Sequence, residues 1–171
     1  MIPPIKTILL ATDLSKNSAY AFYYAVQIAK RVEAKVVILH AVEPLPPMLI
    51  GFGDFSHKVA QDRWDETVKK FKEQIQDISV KADARTGVSS VDFISNILIR
   101  PGNPVEEILK VADEEGCDVI VLGTHGKGFL KQTLLGSVSS SVLIRTQKPV
   151  FVIPLPSKNT NLDLNVGEDF L

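Results

Sequence analysis

The chain has 171 residues, 45% of them hydrophobic and 23% charged, and carries a formal net charge of −1. A domain of this size hides roughly 70% of its unfolded surface and holds a real core, while the near-balanced charge excludes the basic stripe that grips nucleic acid. A single cysteine, Cys117, excludes an internal disulfide framework, and no apolar run approaches the ~18 residues of a membrane helix. With no secretory pattern in the opening Met1-Ile2-Pro3-Pro4-Ile5-Lys6, a cytoplasmic protein is expected.

The elements follow in chain order. Thr7-Ile8-Leu9-Leu10-Ala11-Thr12 reads as a buried strand, broken by Asp13-Leu14-Ser15, with Ser15 as helix N-cap. Ala19, Phe22, Val26 and Ala29 then recur at helical steps and give one apolar face. Lys35 to Val42 is a second strand. Its exit loop, with Pro44, Pro46, Pro47, Gly51 and Gly53, is too rich in breakers for helix or strand. Ala60, Trp64, Val68, Phe71, Ile75 and Ile78 keep a helical period over a long helix, and this stripe is expected to be core. Val91 to Arg100 contains a third strand. Asn103 and Pro104 form a cap and first helical residue, Val105, Ile108, Leu109 and Ala112 the inner face, and Gly116 the stop. Asp118 to Leu122 is a fourth strand buried on both faces. A helix starts near Gly136, and Lys148-Pro149-Val150-Phe151-Val152-Ile153 is a proline-opened edge strand. Residues 156–171, rich in Asn, Asp and Ser, are expected to be a flexible tail on a 1–155 domain.

Strands alternating with helices predict an α/β fold: one doubly wound domain, a five-stranded parallel sheet of order 3-2-1-4-5 with helices on both faces. Ligands of such sheets bind beyond the carboxyl ends of the strands where the order reverses. Here that is Ala11, Thr12 and Asp13 after strand 1, and Leu122 and Gly123 onward after strand 4. The second place carries the most informative stretch of the chain, Gly123-Thr124-His125-Gly126, then Gly136-Ser137-Val138-Ser139 after nine intervening residues. A helix N-terminus offers unpaired N–H groups and positive dipole to an anion, and Gly136 lets the backbone approach it without a Cβ. The Ser137 and Ser139 hydroxyls can donate to a phosphate, Gly123 and Gly126 leave room for a ribose, Asp13 accepts from an amine or hydroxyl, and Ala11 and Ala41 admit a flat base. The same residues also fit turn glycines, a helix-capping serine and a helix-start aspartate.

Other chemistries fit poorly. No G-x-x-x-x-G-K-[ST] run occurs, and the turn after strand 1 lacks the dinucleotide glycines. His40, His57 and His125 have no metal-ligand spacing, so no metal site is expected. His125 is the one candidate acid or base, and no partner orients it, so no catalytic residue is assigned. Lys127 and Lys131 suit phosphate charge or plain solvent equally.

The run G-x2-G-x9-G-[ST] at Gly123, Gly126, Gly136 and Ser137, with Val138-Ser139 behind it, resembles the motif of the ATP-binding branch of the universal stress protein family. Ile8 to Ser15, Ile38 to Val42, Leu134 to Ser139 and Lys148 to Val152 are similar to the same family, and the resemblance covers residues 4 to 155. It implies an adenine nucleotide alpha hydrolase-like fold and an adenine nucleotide in the crevice: ATP, or AMP or ADP, with Mg²⁺. Asp13 and Ala41 would lie near adenine; Leu122, Gly123 and Gly126 near ribose and phosphates; Gly136, Ser137, Val138 and Ser139 on the phosphates. It also implies a homodimer through strand 5 (Val150, Phe151, Val152, Ile153), which matches the exposed edge of that strand. The expected role is a regulatory module of the stress response with at most slow ATP hydrolysis. The alternatives are a nucleotide-processing enzyme (ATPase or nucleotidyl or phosphoryl transferase) and a nucleotide-free interaction module. Enzyme-rate turnover needs an anion-clamping group, and Arg100 and Arg145, the nearest arginines in sequence, have no reason to face the site.

Overall fold

The computed structural model describes residues 3–13, 15–44, 54–124 and 135–154. Each short β-branched run of the chain becomes a strand of one parallel sheet: β1 (Thr7–Ala11), β2 (Lys35–Val42), β3 (Ile94–Pro101), β4 (Val119–Gly123) and β5 (Val150–Ile153). Their order is β3-β2-β1-β4-β5, as the alternation of elements predicts, with β3 and β5 at the edges. In register, Ala11 lies opposite Leu39, Ala41 opposite Arg100, and Gly123 opposite Ile153.

Among the described residues four helices connect them, α1 (Lys16–Val32), α2 (Asp54–Thr86), α3 (Pro104–Glu114) and α4 (Ser137–Arg145). The two faces of the sheet follow from strand alternation. Ile8, Leu10, Val36, Ile38, Val119 and Val121 pack with Ala21, Phe22 and Val26 of α1 and Phe71 and Ile75 of α2. The intervening Leu9, Val37, Leu39, Ile120 and Leu122 pack with Ile108 and Val111 of α3 and Val142 of α4. Strands 1, 2 and 4 therefore lie between two apolar layers, which is why their sequences are continuously apolar rather than alternating.

Local details follow residue chemistry. The Asn103 side chain accepts from the N–H groups of Val105 and Glu106, with Pro104 as first helical residue of α3. Gly116 ends that helix at φ 60°, a left-handed conformation that glycine takes without cost. Strand β3 begins at Ile94, within the expected range, after Ser90–Phe93 forms a 3₁₀ turn. Ser15 occupies the N-cap of α1 without a side-chain cap bond; instead Asp13 Oδ1 accepts from Ser15 N at 3.0 Å.

The stripe of α2 is core only in part. Phe71, Ile75 and Ile78 are buried, whereas Trp64 and Val68 are half-buried. A helix of 33 residues is about 50 Å long, and a strand of 8 residues only about 26 Å. Phe71 lies against His40 near the end of β2, so the turns before it reach past the carboxyl edge of the sheet. The expected tail, residues 156–171, and most of the loop 43–56 lie outside the described residues. No helix among the described residues is long and apolar enough to cross a membrane.

Candidate functional site

The carboxyl ends of β1, β2 and β4 meet where the strand order reverses, and the N-terminus of α4 arrives there. Two hydrogen bonds fix it. Gly136 N donates to Thr124 O at 2.5 Å, and Ser139 Oγ donates to Gly123 O at 2.7 Å. Gly136 thus lies beside Thr124, and the first turn of α4 is held against the strand end. Ser139 is buried, and its hydroxyl proton is turned toward the protein. What it offers an anion is its backbone N–H, rather than the hydroxyl donor its sequence position implies.

Gly136 is the N-cap of α4 at φ −67°, ψ 160°, and no side chain of the described residues caps the helix. Those angles are open to any residue, so the backbone does not demand glycine there. The first intrahelical bond runs from Ser140 N to Gly136 O, which leaves the N–H groups of Ser137, Val138 and Ser139 ahead of the helical ladder. No acidic residue stands in that first turn. Three amide donors with the positive end of a helix dipole, and no capping carboxylate or hydroxyl among the described residues, are the donor set that an anion seat requires.

Across from this seat, Ala11 is the half-buried last residue of β1, and Thr12 N donates to Leu39 O at 2.9 Å. Asp13 is half-buried at the mouth. Ala41 stands near the end of β2, and Leu122 and Gly123 close β4. Ala11, Thr12, Asp13, Ala41, Leu122, Gly123, Gly136, Ser137, Val138 and Ser139 are therefore brought to one end of the sheet. Gly126, with His125, Lys127 and Lys131, lies outside the described residues.

Sequence reasoning missed His40. Its Nδ1 lies 2.8 Å from Thr12 O, and a carbonyl oxygen only accepts, so Nδ1 carries the proton. The ring is stacked on Phe71, centroids 4.8 Å apart and planes 3° from parallel. The signal available was one polar residue inside the apolar run Val36–Val42, on the strand face turned to α2. The turn after β3 was also missed as a rim: Gly102 N donates to Val42 O at 2.9 Å, at a φ of 153° that favours glycine.

The arginines nearest the site in sequence are engaged elsewhere. Arg145 forms a two-pronged pair with Glu106 of α3, 2.6 and 3.0 Å, which holds the Glu106 carboxyl below its ordinary range. Arg100 pairs with Glu114 of α3 at 3.3 Å. Among the described residues no three His, Cys, Asp or Glu side chains group as metal ligands.

Comparison with known proteins agrees with this geometry. The family model described as "Universal stress protein family" matches residues 4–154. The chain is 30% identical over 155 residues to universal stress protein MJ0577 of Methanocaldococcus jannaschii, covering 86% of this chain and 94% of that protein. A solved structure of hypothetical protein MJ0577 superposes with a TM-score of 0.70 at 26% identity, over 91% of this chain and 99% of the other. The same fold is seen in a universal stress protein in complex with cAMP (TM-score 0.59, 24% identity, 88% and 98% covered). It recurs in one from Archaeoglobus fulgidus in complex with dAMP (TM-score 0.56, 21% identity, 90% and 99% covered). On the family match and the curated relative together, the chain belongs to the universal stress protein family.

Proposed function

We propose that the crevice between β1 and β4 binds an adenine nucleotide, ATP with Mg²⁺ foremost, and that the protein is a dimeric regulatory module of the stress response. The observation that carries this reading is the glycine-capped start of α4, whose Ser137–Ser139 amides have no side-chain cap among the described residues. A phosphate chain satisfies those donors, and Gly136 gives it room. Small residues on the opposite wall, Ala11 and Ala41, suit a flat base, with Asp13 placed to accept from its amine or from a ribose hydroxyl. Solved family members in complex with cAMP and with dAMP support the same ligand class. Mg²⁺ would arrive on the phosphates, whose oxygens supply ligands it prefers.

Slow turnover is part of the same proposal. Rapid phosphoryl transfer calls for a cation that neutralises charge developing on the transferred group. Arg100 and Arg145 are each held by a glutamate of α3 on the outer side. Dimerisation is proposed through the edge of β5, where Phe151 is 40% exposed. Nucleotide extracted from purified protein, followed by a phosphate-release assay, tests the reading. Bound adenine nucleotide with turnover well below one per second is expected. Failure to bind any adenine nucleotide at millimolar concentration, or turnover of many per second, contradicts it.

A further inference from the structure

Helix α1 has two faces of different character. Ala21, Phe22, Ala25, Val26 and Ala29 are buried against the sheet. Steps of about 100° per residue put Tyr20, Tyr24, Gln27 and Arg31 on the opposite side, where a surface helix ordinarily carries polar groups. That side instead lines a cavity of about 590 Å³, completed by Ile28 of α1 and by Thr86, the last residue of α2. The volume lies within the ~300–1,000 Å³ of sites that enclose a small organic molecule. None of these residues belongs to the nucleotide crevice. Both helices run from the carboxyl ends of the strands toward their amino ends, and Arg31 and Thr86 stand in their last turns.

The two ends of the cavity differ in chemistry. At one end Tyr20 is only 5% exposed; its ring meets that of Tyr24 edge-on at 5.1 Å, and the two hydroxyls are 3.3 Å apart. Burial, and then the Tyr24 hydroxyl, push the Tyr20 phenol up to about 12, so Tyr20 carries no charge near neutral pH. At the other end Arg31 is exposed at the rim and makes no ion pair with any described residue. The carboxylate of Asp83, one turn before Thr86, accepts from Ser90 N at 2.7 Å instead. Tyr24 and Arg31 stand two turns apart, about 10 Å along the axis. We propose that this cavity binds a flat aromatic carboxylic acid, its rings against Tyr20, Tyr24 and Ile28 and its carboxylate on the Arg31 guanidinium. Aromatic walls favour an aromatic body through edge-on and offset contacts. The planar guanidinium fork matches a carboxylate with two parallel hydrogen bonds. A neutral occupant forgoes that pair, and an alkyl acid forgoes the ring contacts. One tyrosine hydroxyl donates to the other, which leaves a single O–H for a polar group at the far end of the ligand.

The test is a titration of the ¹⁵N-labelled full chain with 2-naphthoate and, separately, with its uncharged isostere 2-naphthamide. The acid is expected to move the amide resonances of Tyr24, Gln27, Ile28 and Arg31, saturating with one molecule per chain, and to bind about tenfold more tightly than the amide. Arg31→Gln, a change at an exposed position, is expected to weaken the acid about tenfold and leave the amide unchanged, so that the two become equal. Thr86→Trp, which fills the cavity from its α2 wall, is expected to abolish binding of both, with far-ultraviolet circular dichroism as a fold control. No saturation by the acid at millimolar concentration would overturn the proposal, as would equal affinities of acid and amide in the wild type or an Arg31→Gln variant that still separates them. Shifts centred on Asp13, Ala41 and Ser137–Ser139 would overturn it too, because the acid would then sit in the crevice. So would α1 resonances that move on dilution without any acid, because the occupant would then be a second copy of the chain.

Discussion

Ser139 Oγ donates a 2.7 Å hydrogen bond to the carbonyl of Gly123, joining the first turn of α4 to the last residue of β4. The bond sets the angle at which the α4 amides face the crevice, and it satisfies a carbonyl at the end of a central strand. Ser139→Ala removes the donor and leaves that acceptor in a largely buried place. The expected cost is about 1–2 kcal/mol of stability, read as a lower denaturant midpoint. Loss of adenine nucleotide affinity should exceed the loss of stability, because the helix start is no longer aimed. Ser139→Cys, a weaker donor of similar size, should fall between.

Gly136 separates binding from folding. Its φ and ψ are accessible to any residue, so Gly136→Val should leave the circular dichroism spectrum and melting temperature close to wild type while abolishing ATP binding by filling the phosphate space. Gly136→Asp is the sharper case. Aspartate caps a helix slightly better than glycine, by a few tenths of a kcal/mol, so stability should hold or rise while a fixed carboxylate repels the phosphates. Calorimetric titration with ATP, beside thermal melts of both variants, checks the pair.

His40 holds the other wall. His40→Phe preserves the ring against Phe71 but removes the Nδ1–H that donates to Thr12 O. The turn carrying Thr12 and Asp13 should loosen, with nucleotide affinity falling several-fold and a stability loss of about 1 kcal/mol. Equal affinity in His40→Phe and wild type would show that the turn is set by other contacts.

Away from the site, Asp118 ties β1 to β4. Its carboxylate accepts from Lys6 N at 2.7 Å and Thr7 N at 2.9 Å, and these backbone bonds hold its pKa below the ordinary 3.8. A carboxylate whose folded pKa is depressed contributes stability above the unfolded value, and that contribution is lost as pH falls through the folded one. Asp118→Ala should therefore cost about 1–2 kcal/mol at pH 7, with the gap to wild type closing below pH 3.8. Denaturant melts at pH 7, 4 and 3 give the comparison.

The thiol of Cys117 is buried, and burial pushes its pKa up to about 11. At pH 8 it should react with a disulfide reagent only after unfolding, because the thiolate is the nucleophile. Rapid reaction of the native protein would mean that the β4 entrance opens freely.

Much of the fold was legible in the residues themselves. The runs at Ile8–Leu10, Val36–Leu39 and Val119–Leu122 are buried on both faces, and only strand supports such short β-branched stretches. Their alternation with helices fixes a parallel sheet, and the order reversal between β1 and β4 marks the crevice before any coordinate is known. The glycine–serine run after β4 independently points to the same end. What stayed hidden depends on distant parts of the chain. Nothing local says that the Ser139 hydroxyl turns inward to Gly123, or that His40 reaches the Thr12 carbonyl 28 residues away. Helical period alone could not tell that Trp64 and Val68 run past the sheet edge, because length relative to β2 decides that. The outer tyrosines of α1 were unreadable for a similar reason, since Tyr20 is polar enough for a surface and apolar enough for a wall.

The most direct measurement is a titration of ¹⁵N-labelled protein with ATP and Mg²⁺, followed by amide resonances. The largest shifts are expected at Ser137, Val138 and Ser139, saturating with one nucleotide per chain, with smaller shifts at Asp13 and Ala41. Saturable ATP binding that leaves those three amides unmoved, or no binding at all, would contradict the assignment of the α4 N-terminus as the phosphate seat.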